Sequence, residues 1–229
     1  MTTTLVTGAS RGLGYETARR LTDAGHTVYL GVRDVTRGRA LAATIGATAI
    51  ELDVTEEATV RAAAQQVREG SGRLDVLINN AGIAGEQSPP GEATIDDLRL
   101  VLETNAIGAA RVLSAFTPLL EASETPVVVN VSSAVGSLTL NSEPEASWSM
   151  VAYPMSKAAL NMLTIQYARA FPRWRVNSVT PGLTATGFAP SVAGGHSVEE
   201  GAEVLVRMAR IGSDGPTGSF ISSLGIVPW

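Results

Sequence analysis

Short apolar runs alternate along this chain with longer stretches in which apolar residues recur every three or four positions. The first pattern predicts strands and the second amphipathic helices. Strands are expected at residues 3–7, 27–32, 47–52, 74–79, 127–132, 175–180 and 218–222, and helices at 12–24, 56–69, 95–120, 152–170 and 197–210. Runs such as VVVNV are apolar without alternation, which suits strands covered on both faces. Strands joined by crossover helices predict a doubly wound α/β fold around a parallel sheet, in one domain spanning residues 1–229. Two looser stretches, 84–93 (AGEQSPPGEA) and 137–150 (SLTLNSEPEASWSM), each follow a strand. Ligands of such sheets bind beyond the carboxyl ends of the strands, so both stretches are expected to rim a site.

Composition removes several alternatives. A chain of 229 residues with 45% hydrophobic content is long enough to bury a sizeable core. Its net charge of -5 and pI near 5.1 argue against a nucleic-acid partner, which requires a clustered basic face. With two histidines and no cysteine, neither a metal site nor a disulfide framework is expected. The start MTTTLVTGAS lacks a charged segment followed by an apolar one, and no run of about eighteen apolar residues occurs. A cytoplasmic protein without a membrane partner is the expectation.

Residues 7–14, TGASRGLG, admit two chemistries. Gly8 to Gly12 fits G-x-S-x-G, the strand-to-helix turn that exposes a nucleophilic serine in hydrolases. That elbow needs oxyanion donors from an earlier loop, yet only nine residues precede Ser10, and no histidine is a plausible partner. A nucleotide turn needs only a strand, glycines and a helix whose first N–H groups attract phosphate. Gly8 would make the turn, Gly12 would admit the pyrophosphate and Gly14 would let the helix pack on the sheet, with Ser10, Arg11 and Leu13 between them.

Of 17 basic residues, 16 are arginine. The one lysine, Lys157, follows Tyr153 by four positions in AYPMSKAAL. On a helix this spacing puts both on one face, with side chains about 5 to 6 Å apart. At an effective dielectric near 20 the charge is worth roughly 3 kcal/mol, so the phenol pKa is expected to fall by about two units. A guanidinium would not replace a compact ammonium that must also bond sugar hydroxyls. Pro154 fits the first turn of such a helix.

Together TGASRGLG, NNAG (79–82), Asn105, VVVNVSS (127–133), YPMSK (153–157) and PGLTAT (181–186) resemble the short-chain dehydrogenase/reductase family, over nearly the whole chain and in the family's order. The resemblance implies a Rossmann-type sheet of about seven strands, NAD(H) or NADP(H), and hydride transfer between nicotinamide and a carbonyl or alcohol. It implies that Tyr153 is the general acid/base, that Lys157 tunes the phenol and bonds the nicotinamide ribose, and that Ser133 orients the substrate oxygen. Asn105 resembles the asparagine that bends its helix and holds a water linked to Lys157. Ser133 stands twenty residues before Tyr153, where many members have about thirteen; the excess falls in the 137–150 loop, and Ser132 is the nearest rival. Trp148 and Met150 of that loop either wall the substrate pocket or pack as anchors.

At the end of the second strand an acidic residue marks NAD and an arginine marks NADP. Val32 occupies the acidic position and Arg33 follows, with Arg11 able to approach the same 2'-phosphate, so NADP(H) is favoured over NAD(H). Asp34 next to Arg33 is the counter-signal. By resemblance, Asp53 and Val54 lie near the adenine, Asn80, Ala81 and Gly82 near the adenine ribose and nicotinamide half, and Pro181, Gly182, Thr184 and Thr186 near the carboxamide and pyrophosphate. His26 and His196 receive no catalytic role, and residues 185–197 are expected to close over the substrate. A small carbonyl or alcohol substrate and a homodimer or homotetramer are implied. The alternative is a catalytically silent NADP(H)-binding sensor or scaffold of the same fold.

Overall fold

The computed structural model describes residues 1–146, 149–185 and 195–229. Strands β1 (Thr3–Thr7), β2 (Thr27–Val32), β3 (Thr48–Glu51), β4 (Val76–Asn79), β5 (Val127–Val131), β6 (Arg175–Val179), β7 (Phe220–Ser222) and β8 (Gly225–Ile226) form one sheet. Its order is β3-β2-β1-β4-β5-β6-β7-β8, parallel throughout except for the antiparallel pair β7 and β8. The order reverses between β1 and β4, the switch point where such sheets receive ligands. The expected seven strands are present, and β8 is an eighth. It is two exposed residues after a tight turn, too short to leave an apolar run.

Helices α1 (Gly12–Asp23), α2 (Val35–Ile45), α3 (Glu57–Ser71), α4 (Ile95–Leu102), α5 (Gly108–Glu121), α6 (Leu138–Ser142), α7 (Ala152–Ala170) and α8 (Val198–Ala209) complete the described fold. Successive strand residues point to opposite faces and so belong to two cores. Leu5, Leu77 and Val128 pack with Phe116 and Trp174, whereas Val6, Ile78 and Val129 pack with Leu21 and Leu205. This is why the strands carry apolar residues without alternation. Among the described residues no helix is long and apolar enough to cross a membrane.

Three elements depart from the sequence expectation. Helix α2 carries little apolar periodicity because its buried face is only Gly38 and Ala42. A Cβ at Gly38 would lie 2.4 Å from Val32 Cγ2, so a small residue there lets α2 close on β2. Asp34 caps this helix, accepting from the Arg37 amide at 3.0 Å. The long helix expected at 95–120 is divided by a π-helical turn, Glu103–Ile107, at Asn105, where the family resemblance implied a local bend. The stretch 137–150 contains α6, capped by Ser137, after a 3-10 turn at Ala134–Gly136.

Candidate active site

At the carboxyl end of β1, Gly8 and Gly12 adopt φ of 64° and 56°, the left-handed region that glycine alone enters freely. A Cβ at Gly14 would fall 2.4 Å from Asn80 Nδ2 and 2.7 Å from the Gly8 carbonyl, so α1 lies directly on the β1 and β4 ends. Thr7 Oγ1 accepts the amides of Asn80 and Ala81, both at 3.0 Å, while Asn80 Nδ2 donates to the Thr7 and Gly8 carbonyls. Asn80 is thus a tie between the two strands, and Thr7 is a structural partner that the motif reading missed. Arg11 precedes α1 without a side-chain cap, and no acidic residue lies in the first turn. The first N–H groups and the positive end of the helix dipole therefore lie without a side-chain counter-charge at the carboxyl end of β1, an arrangement suited to an anion.

Helix α7 begins at Ala152, so Tyr153 and Pro154 lie in its first turn and Lys157 one turn on. Lys157 is buried, and its Nζ donates to the Val131 carbonyl at 2.7 Å. The same Nζ sits 5.5 Å from the Tyr153 ring centroid. The Ser133 hydroxyl is hydrogen-bonded to the Tyr153 phenol, whereas the Ser132 hydroxyl is buried and donates to Asn161 Oδ1 at 2.7 Å. The two serines therefore have different surroundings, and Ser133 is the one that meets the tyrosine.

Asn105 lies inside the π-helical turn and is buried. Its Oδ1 accepts from the Ile83 amide at 2.8 Å, and its Nδ2 donates to the Ile83 carbonyl at 2.9 Å and to Ser156 Oγ at 3.0 Å. Ser156 in turn donates to the Tyr153 carbonyl at 2.7 Å. A π turn widens a helix by one residue and often marks a functional position. Here it presents one amide to both the segment after β4 and the first turn of α7. Gly82 lies beside them: a Cβ there would be 3.1 Å from Asn105 Oδ1 and 3.7 Å from Lys157 Nζ.

The electrostatics reverse one expectation. Burial pushes the Tyr153 phenol up to about 12, opposed by the Ser133 hydrogen bond, instead of the lysine drawing it down. Burial would desolvate the phenolate, which outweighs the pull of the nearby ammonium, itself held by the Val131 carbonyl. Burial also pushes the Lys157 ammonium down, to about 8. Because Lys157 is the only lysine, protein labelled with ¹³C at the lysine Cε gives one side-chain NMR signal. In the cofactor-free protein it is expected to titrate at about 8, charged below and neutral above. A midpoint at the usual lysine value would mean that water reaches the amine.

Arg33 and Arg11 are exposed and make no ion pair with a described residue. Asp53 Oδ1 accepts from both the amide and the hydroxyl of Thr55, at 2.9 and 2.7 Å. Val54 packs on Gly108, where a Cβ would lie 2.8 Å from Val54 Cγ2. Gly201 of α8 sits between Thr184 and Leu13, so that a Cβ would lie 2.6 Å from Thr184 Oγ1 and 2.9 Å from Leu13 Cδ2. Gly182, with φ of 75°, follows Pro181. Thr186, Trp148 and most of the expected closing segment lie outside the described residues. His26 bonds Thr4 Oγ1 at 2.8 Å, and exposed His196 bridges to Thr184.

Comparison with known proteins shows the family and the fold. Residues 2–195 match the model of the short chain dehydrogenase family. A short-chain dehydrogenase/reductase of Stachybotrys chlorohalonatus is 34% identical, over 97% of this chain and 88% of its own length. The structure of salutaridine reductase from Papaver somniferum superposes with a TM-score of 0.84 at 29% identity, covering 96% of this chain and 99% of that one. An NADPH-bound carbonyl reductase from chicken fatty liver superposes with a TM-score of 0.87 at 25% identity, covering 100% and 99%.

Proposed function

From a chain that belongs to the short-chain dehydrogenase/reductase family, and hence to a family of hydride-transferring oxidoreductases using NAD(P)(H), we propose an NADP(H)-dependent reductase of ketones or aldehydes. The observation that carries the proposal is the convergence of the Ser133 hydroxyl, the Tyr153 phenol and the Lys157 amine at the carboxyl end of β5. The residues of the glycine turn fit a dinucleotide: the α1 N-terminus is uncapped by any side chain, and Gly8 and Gly14 stand where a Cβ would collide. When bound, the reduced nicotinamide supplies hydride to the carbonyl carbon.

Each protein group then has a defined task. Ser133 donates a hydrogen bond to the carbonyl oxygen and supports its growing negative charge. Tyr153 delivers the proton to that oxygen. A phenol raised to about 12 retains its proton at neutral pH, the form that donates to a carbonyl oxygen. Lys157 holds the β5 end through Val131, places positive charge under the tyrosine ring and supplies donors for the nicotinamide ribose. Asn105 fixes the first turn of α7 through Ser156.

Arg33 and Arg11 support the NADP(H) preference as exposed cations without ion-pair partners among the described residues. Asp34 does not oppose it, since its carboxylate caps α2. Fluorescence titration with NADPH and NADH, followed by a panel of ketones and aldehydes monitored for cofactor oxidation, tests the whole reading. Replacing Arg33 with Ala is expected to weaken NADPH about tenfold or more while leaving NADH nearly unchanged, as loss of one charge-assisted phosphate contact implies. Equal losses for both cofactors would place the ribose 2'-position elsewhere.

A further inference from the structure

Helix α7 carries a third polar residue in register with Tyr153 and Lys157, and the proposed chemistry leaves it unused. Asn161 lies one turn beyond Lys157 and is buried, 3% exposed. Its Oδ1 accepts from the Ser132 hydroxyl at 2.7 Å, and its Nδ2 donates to the Gly136 carbonyl at 3.1 Å. Ser132 and Gly136 bracket the turn that begins with Ser133. One amide therefore grips both ends of the segment carrying the serine.

The same segment touches α7 in two further ways. Lys157 Nζ holds the Val131 carbonyl just before it. Gly136 lies against the helix backbone, where a Cβ would fall 2.6 Å from Lys157 Cβ and 2.8 Å from the Lys157 carbonyl carbon. The turn is thus pinned at its entry by Lys157, across its span by Asn161 and at its exit by a glycine that admits no side chain. Among these, Asn161 supplies the only directional contacts to both ends. An amide with one donor and one acceptor engaged fixes orientation as well as distance, since a half-satisfied buried amide is costly.

We propose that Asn161 is a positioning residue for the reaction: it holds the turn 132–136 so that the Ser133 hydroxyl stays on the Tyr153 phenol and on the substrate oxygen. The inference rests on the carbonyl-reductase reading above, because it requires Ser133 to act on the reacting carbonyl. A group displaced by a fraction of an ångström at a reacting centre is felt mainly in the chemical step. Removing Asn161 therefore lowers kcat through Ser133 and leaves cofactor affinity in place, since its partners are Ser132 and Gly136.

The test is a double-mutant cycle on the full-length protein, with kcat and KM measured for a carbonyl substrate from the panel and the NADPH Kd from fluorescence. Asn161→Ala is expected to lower kcat about tenfold, with NADPH Kd changed less than about twofold. In a Ser133→Ala background the same substitution is expected to change kcat less than about twofold, since the group it positions is gone. Ser132→Ala, a smaller change, removes one of the two contacts and is expected to give an intermediate loss that likewise vanishes without Ser133. It also keeps the test open if Asn161→Ala fails to fold. Equal fold-losses with and without Ser133, in either series, would show that Asn161 merely supports the fold and would overturn the proposal. If Ser133→Ala itself has normal turnover, the carbonyl-reductase assignment of Ser133 fails instead, and the two failures are told apart.

Discussion

Tyr153→Phe is expected to reduce a carbonyl substrate about 10² to 10⁴ times more slowly than the wild type, with NADPH bound as tightly. The substitution deletes one oxygen, the proposed proton donor and the partner of the Ser133 hydroxyl. It keeps the ring, so the packing of α7 and the seat of the Lys157 ammonium at 5.5 Å from the ring centroid are preserved. The glycine turn at the β1 and β4 ends is untouched. Single-turnover measurement of NADPH oxidation separates the chemical step from release. Near-normal rates would remove Tyr153 from the reaction and with it the role given to Lys157.

Gly14→Ala is expected to cost stability and cofactor affinity together. Alanine is the better helix former by about 1 kcal/mol, so an unobstructed site would gain from it. Here the added methyl meets Asn80 Nδ2 at 2.4 Å and the Gly8 carbonyl at 2.7 Å. Overpacking of this kind costs about 1 to 3 kcal/mol, and the neighbours cannot yield without breaking the bonds of Asn80 to Thr7 and Gly8. The expected net result is a Tm lower by a few degrees, about 2 to 4 °C per kcal/mol for a chain of this size. NADPH affinity should fall more than about tenfold as the turn shifts. Thermal denaturation and fluorescence titration measure the two effects, and a raised Tm with unchanged NADPH affinity would mean that α1 can move away from β4 freely.

The strands were legible because both faces of the sheet are covered, so burial appears directly as apolar runs such as VVVNV. Helix α7 was legible to the residue. What escaped has identifiable causes. Helix α2 buries only Gly38 and Ala42, and a helix packed through glycine shows no amphipathic stripe. The π turn around Asn105 changes the helical period by one residue over a single turn, too little to disturb the apolar pattern of a long window. The direction of the Tyr153 shift escaped because sequence spacing gives a distance to a charge but says nothing about water, and desolvation is the larger effect. The long interval between Ser133 and Tyr153 holds a 3-10 turn and α6 in its first part, so added chain length there left Ser133 beside Tyr153.

The solitary interior amine has a counterpart on the outside of the molecule. With cysteine absent and every other cationic side chain a guanidinium or one of two histidines, Lys157 is the only side-chain amine that can lose charge in mildly alkaline solution. Mildly alkaline solution therefore strips no lysine charge from the exterior, where a lysine-coated protein would shed it. An alkaline inflection in turnover near pH 8 would report the Lys157 amine of the proposed catalytic centre and not a cationic exterior.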